Sequence, residues 1–249
     1  MSNSKSIFNE IVRNNLMIRK SDTEKYNFRN FILSKYKGDF QTFEADNTIN
    51  LLTKNISNED NCQKITCIIV AHYDTLGSKN FNDNTSGISA LLAIMESIKN
   101  TQYTNKVAFI LTDLEEQHCK GAKAIYDKYK YIFKNKVVIN LDCIGGDYNK
   151  LVICINKKSD LCNYGITTLT HELITLFKDK KYLEYIDNYS LIDSDYKVFK
   201  NSYTISPALR PPQITLAILV HTCLDNKVNF NNIEVFVNVI VNHIKQGKI

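Results

Sequence analysis

The chain has 249 residues, 44% of them hydrophobic, enough for one well-cored domain and too few for two of comfortable size. Lys and Arg number 31 against 26 Asp and Glu, and the formal excess of +5 is spread along the whole sequence. Arginine is confined to Arg13, Arg19, Arg29 and Arg210 and no basic face is clustered, which excludes a nucleic-acid reader; the longest apolar run, 214–220, is far too short to span a bilayer.

The first 38 residues read as helices, with Ile7, Ile11 and Leu16 on one apolar stripe, Phe28, Phe31, Ile32 and Tyr36 on another, and Gly38 as a C-terminal stop. Residues 40–43 and 49–52 read as short strands, and 65–71 as a buried one. Ile88, Leu91, Leu92, Met95 and Ile98 recur at helical spacing. A strand over 107–111, a helix over 122–131 and strands over 137–141 and 151–155 follow. The pattern then predicts a helix over 162–177, a strand over 214–220 and a last helix over 232–245. Strands alternating with helices predict an α/β three-layer sandwich, its central mixed sheet mostly parallel and flanked by helices. One domain is expected over 1–249, with 1–60 as leading helices and edge strands and 65–225 carrying the motifs.

The seven cysteines (Cys62, Cys67, Cys119, Cys143, Cys154, Cys162 and Cys223) are odd in number and include no CxxC pair, the pattern of free thiols in a reducing compartment. The opening MSNSKSIFNEIVRNN lacks an apolar stretch of the signal-peptide kind, so a cytoplasmic location is expected.

Metal-binding side chains recur at the ends of the predicted strands, where α/β sheets bind ligands. IIVAHYDT delivers His72, and Asp74 two residues on points the same way, toward the free imidazole nitrogen or a metal-held water. Alone, this segment is also what a strand-end turn with a chance histidine looks like. In FNDNTSGISALL, Asp83 is either part of a turn capping the next helix, with Thr85 or Ser86 as N-cap, or a carboxylate bridging two cations. In VAFILTDLEEQHCKGA two adjacent carboxylates follow a buried strand, where like charges are costly unless a cation compensates. Glu116 is assigned as ligand and Glu115 as general base. Asp142 ends the strand of VVINLDCIGG, and His221 follows the strand of LAILVHTCLDN. Five such strand ends point to hydrolysis by metal-activated water.

The order HYDT, DNTSG, EE, NLD and HTxxD resembles the co-catalytic zinc exopeptidases of metallopeptidase family twenty-eight, such as bacterial leucyl aminopeptidases, over roughly residues 65–225. The resemblance implies the zinc-dependent exopeptidase fold, also described as phosphorylase/hydrolase-like. It also implies two Zn²⁺ ions: His72 and Asp142 on one, Glu116 and His221 on the other, Asp83 bridging them. Glu115 would move the proton, Asp74 would stand behind His72, and a cis-like peptide would follow Asp83. The implied substrate is a peptide with a free N-terminus.

The chain departs from the family at four places. His118 stands where relatives have the glycine of EExG and is expected to be exposed; Cys223 replaces the proline of HTP and Val220 an aromatic residue. An oxyanion-stabilising tyrosine has no fixed seat; Tyr189, Tyr196 and Tyr203 are candidates. SDYKVF resembles the family's SDHxxF, placing Asp195 in the pocket wall or behind the ligands. Arg210, in SPALRPPQ, reads as a surface or salt-bridged residue of a Pro-rich loop or as a holder of a substrate carboxylate. The competing functions are a single-zinc glutaminyl cyclase, a carboxypeptidase or dipeptidase on the same scaffold, and a catalytically dead binding module.

Overall fold

The computed structural model describes residues 3–147, 150–155, 164–179, 181–186, 194–200, 202–210, 221 and 224–249. Two helices open the chain, α1 (Ser4–Arg13) and α2 (Asp22–Lys35). A capping box starts α2: Ser21 Oγ accepts from the Glu24 amide, and the Glu24 carboxylate accepts from the Ser21 amide. Left-handed Gly38 then turns the chain into β1 (Phe40–Ala45). Asp46 and Asn47, both at positive φ, close the hairpin to β2 (Thr48–Thr53).

The alternating part follows as α3 (Glu59–Cys62), β3 (Cys67–His72), a helical turn over Phe81–Ser86, α4 (Gly87–Ile98) and β4 (Val107–Thr112). Next come a tight turn over Glu115–Gln117, α5 (Lys120–Phe133), β5 (Val137–Asn140) and β6 (Lys150–Ile155). The chain continues through α6 (Tyr164–Leu176), β7 (Lys181–Ile186), β8 (Tyr203–Arg210) and α7 (Phe230–Lys245).

Among the described residues the strands form one sheet in the order β1-β2-β4-β3-β5-β8-β6-β7. Its middle, β4-β3-β5-β8, is parallel; antiparallel pairs join β2 to β4 and β6 to β8. The parallel strands run in step: Cys67 of β3 pairs with Val107 and Val137, and His72 with Thr112. Their carboxyl ends therefore line up, and the residues just beyond them share one edge.

Both faces are covered, which is why these strands read as unbroken apolar runs. Ile69, Phe109 and Ile139 pack with α1, α2, α4, α6 and α7, while Ile68, Ile110 and Val138 pack with α5 and Phe199. The result is the three-layer α/β sandwich expected from the alternation. Among the described residues no helix is long and apolar enough to cross a membrane.

Two strands escape the sequence patterns. The sequence of β7, KYLEYI, is interrupted by charge, and among the described residues it pairs only with β6, at the sheet's edge. β8 contains Pro207, so its sequence reads as loop. Pro207 pairs with Ile153 and stands two residues past Ile205, the last partner of β5, where the parallel ladder has already ended. The strand expected over 214–220 lies outside the described residues, as do Cys162, Tyr189, Val220 and Cys223.

Candidate active site

Three strand ends and two loops converge at the carboxyl edge of the sheet. His72 is the last residue of β3, and Asp142 lies two residues beyond β5. Glu115 and Glu116 sit in the turn after β4, Asp83 at the kink in the turn before α4, and His221 ahead of α7. His72 Nε2 is 3.1 Å from Asp83 Oδ1 and 3.8 Å from Asp142 Oδ1. His221 Nε2 is 3.2 Å from Asp83 Oδ2 and 3.3 Å from Glu116 Oε2. Asp83 thus presents one oxygen to each imidazole. Two groups result, His72–Asp83–Asp142 and Asp83–Glu116–His221, each compact enough to hold a metal ion and sharing a single carboxylate.

Local bonds fix each member. The Asp83–Asn84 peptide is cis. Asp225 clamps this loop, its Oδ1 accepting from the Asn82 amide (2.8 Å) and Oδ2 from the Asp83 amide (2.9 Å). Asn84 donates to the Leu141 carbonyl (2.8 Å) and accepts from the Gly87 amide (3.1 Å), tying the Asp83 loop to the strand end that carries Asp142. Ser194 donates to Asp142 Oδ2 (2.9 Å) and accepts from Asn140 (2.9 Å). Asp74 accepts from the amides of Glu115 (2.9 Å) and Glu116 (3.2 Å), so it sets the paired-glutamate turn. Its carboxylate is 3.5 Å from His72 Nδ1, and its carbonyl oxygen is nearer at 3.2 Å.

The charges do not balance without a cation. Burial, then repulsion from Asp83, outweighs the two imidazoles and lifts Glu116 to about 8. Burial also drives Glu115 well above the usual carboxylate range, with Asp142, Asp195 and Glu116 adding repulsion against the pull of His72. Burial opposes ionisation of Asp83 too, but the two imidazoles overcome it and hold its pKa low. Burial alone would depress His72; Glu115, Asp142, Asp74 and Asp83 together raise it well above its ordinary value. Asp83 Oδ1 and Glu116 Oε1 are buried without an aligned hydrogen bond. Orphaned oxygens and imidazole nitrogens facing one another are the donor set a divalent zinc ion takes up. The residues therefore fit the metal, whose charge would offset the clustered carboxylates.

The sequence model of Peptidase family M28 matches residues 50–235. The chain belongs to this family. M28 is a family of zinc-dependent metallopeptidases, and the chain is a metal-dependent hydrolase by membership. No curated protein matches the sequence. Among solved structures, the fold is similar to glutaminyl cyclase of Porphyromonas gingivalis (TM-score 0.75, 13% identity, covering 98% of this chain and 97% of that one). It is also similar to a Zn-dependent exopeptidase of Parabacteroides distasonis (TM-score 0.73, 14% identity, 97% and 96%). A leucine aminopeptidase precursor of Bacteroides thetaiotaomicron gives a TM-score of 0.70 at 16% identity, with 97% and 95% covered.

Against the M28 pattern, this chain's departures acquire physical content. His118 is exposed and adopts φ +64, a conformation that glycine enters without penalty. Leu114 and Cys119 are also left-handed, so the turn carrying the glutamates is bracketed by backbone costing about 1 kcal/mol per residue. Thr85 and Ser86 do not cap α4. The Asn84 side chain does, while Thr85 Oγ1 receives Arg19 and Ser86 donates to the Asn82 carbonyl. Tyr196 is fully buried with Val152 and Cys154. Tyr203 pairs with Val137 at the opposite end of the sheet, so it is not placed for an oxyanion. Asp195 is buried beside the cluster, accepting from Thr112 at the end of β4; burial lifts it to about 7. Arg210 ends β8 rather than lying in a loop.

Sequence reasoning gave no role to Asp225, Asn84, Ser194 or Arg19. Asp225 and Asn84 stand inside the HTxxD and DNTSG segments, so a signal was present. Arg19 had none: it is fully buried, its guanidinium 5.1 Å from the Phe28 ring, and burial lowers it to about 10 despite Asp74 and Asp83 nearby.

Proposed function

We propose that this M28 member is an aminopeptidase that removes N-terminal residues from peptides, using two zinc ions bridged by Asp83. One observation carries the reading: the two oxygens of Asp83 face different histidines, each in its own three-residue group. A single-zinc cyclase has no need of two complete groups. His72, Asp142 and Asp83 would hold one ion, and Glu116, His221 and Asp83 the other. Bound zinc supplies Lewis acidity, lowering the pKa of water toward about 7 and polarising the scissile carbonyl.

The protein's own groups do the rest. Glu115 stands outside both three-residue groups and next to Glu116, which supports it as the group that would take a proton from the attacking water and return it to the leaving amine. Asp74 holds Glu115 and Glu116 in one turn, so base and ligand stay in register. Ser194 orients Asp142, and Asp225 orients Asp83. The surrounding carboxylates favour a substrate with a free ammonium group. We also propose a reducing compartment, in line with the odd number of cysteines and the lack of a CxxC pair in the sequence.

Metal analysis of the purified protein, together with assays on matched peptides, tests this. Two zinc ions per chain and cleavage of aminoacyl anilides but not their N-acetyl forms are expected. One zinc with cyclisation of N-terminal glutamine would replace the proposal with the cyclase. Cleavage of blocked peptides from the carboxyl end would reverse the polarity, and a folded protein with neither metal nor activity would leave a binding module.

A further inference from the structure

The α1–α2 linker, residues 14–21, lies outside the stretch matched by the family model. It is nevertheless bonded to both loops that supply the shared group of ligands. Arg19 Nε donates to the carbonyl of Tyr73, the residue between His72 and Asp74. Both terminal nitrogens of Arg19 reach Thr85 Oγ1 at 3.3 Å, two residues after Asp83. The same guanidinium is anchored to its own linker through the Leu16 carbonyl (2.6 Å). Two further bonds run beside it: the Arg19 amide donates to Thr75 Oγ1 (2.9 Å), and Asn80 donates to the Met17 carbonyl (3.2 Å).

We infer that Arg19 is a positioning residue of the metal centre, its planar fork fixing the His72–Asp74 strand end against the Asp83 loop. Three features make it more than a core filler. The fork spans two different loops rather than one. Its partners sit one and two residues from proposed zinc ligands. A fully buried guanidinium also demands several acceptors at fixed angles, so it sets distances that an apolar side chain would leave free. Lysine would keep the charge but offers no planar pair of donors. The N-terminal segment thus belongs to the site, although it contributes no ligand.

The inference rests on the zinc reading above, and the experiment separates the two. Zinc affinity of the metal-free protein is measured by competition with a chromophoric chelator, for wild type, Arg19→Lys and Arg19→Met. Ile11→Val, a conservative cut in the same N-terminal core, serves as a stability control. Both Arg19 variants should bind zinc at least about tenfold more weakly, the range seen when groups supporting metal ligands are removed. The control should stay within about twofold. Wild type that takes up no zinc refutes the metal reading itself. Wild type that binds zinc, with Arg19 variants binding as tightly, refutes only this inference; full rescue by lysine overturns the fork geometry. A second measurement needs no variant. Zinc should slow amide exchange in 16–20 of the wild type along with 73–75 and 83–85, since coupling is reciprocal. Unchanged exchange in 16–20 overturns the assignment.

Discussion

Gly87→Ala offers a sharp test of how the two sides of the site are held together. A Cβ built on Gly87 falls 2.2 Å from the Leu141 carbonyl oxygen, 2.3 Å from Asn84 Oδ1 and 2.9 Å from Asn84 Cγ. Ordinary van der Waals contact begins at 3.4 Å, so α4 and the end of β5 must separate by roughly 1 Å. Overpacking of this kind costs about 1–3 kcal/mol, and the Asn84–Leu141 bond would break as well, adding about 1 kcal/mol. For a chain of this size that is roughly 5–15 °C in Tm. Leu141 precedes Asp142 and Asn84 follows Asp83, so the same displacement pulls two proposed ligands of one zinc apart. A shift near 1 Å costs about 10²-fold when reacting groups are involved. Thermal unfolding of the metal-free protein, zinc titration calorimetry and anilide turnover read the three effects. A variant with wild-type Tm and two zincs at unchanged affinity would show that α4 does not set the Asp83–Asp142 spacing.

Three other substitutions or conditions follow from the same geometry. Glu115→Gln should lower kcat by about 10²–10⁴-fold with zinc content unchanged, and a fully active variant would remove Glu115 as the base. Asp225→Asn replaces one of two acceptors with an amide facing the Asn82 or Asp83 N–H, so it should cost about 1–3 kcal/mol in unfolding free energy and weaken zinc binding; urea unfolding checks the first and chelator competition the second. The metal-free protein should lose stability as pH rises. Glu116, with its folded pKa lifted to about 8, contributes stability below its unfolded value of 4.5 that is lost as pH climbs through about 8. Asp195 acts in the same sense up to about 7, as do His72 and His221, whose pKa values are raised. Asp83, with its pKa lowered, acts oppositely at more acidic pH. Tm of the metal-free protein should therefore be higher at pH 6 than at pH 8, and the gain on adding zinc larger at pH 8; a flat or inverted profile contradicts the signs.

Much of this architecture could be read from the chain. The buried strands β3, β4 and β5 betray themselves because both faces are covered, which leaves no polar alternation to confuse the pattern. Side chains at their ends are legible for the same reason: a carboxylate after such a run has no apolar explanation. β7 and β8 were hidden, one because an edge strand with charged residues looks like a loop, the other because Pro207 is tolerated only where a ladder has ended. The supporting residues were harder. Whether Thr85, Ser86 or Asn84 caps α4 depends on backbone geometry, and three polar residues in a row look alike in sequence. Arg19 was invisible because its partners are main-chain carbonyls and a threonine far along the chain, and neither leaves a mark in spacing.

The order of the proposed ligands along the polypeptide bears on biosynthesis. His72, Asp83 and Asp142 all precede β6, whereas Glu116 must wait for His221 to complete its group. On a ribosome the first cradle has every donor translated well before the second, and Asp83 belongs to it from the start. On the proposed two-zinc reading, donors for one ion are translated before the donor set of the other is complete, and chains truncated before His221 would retain donors for one ion only.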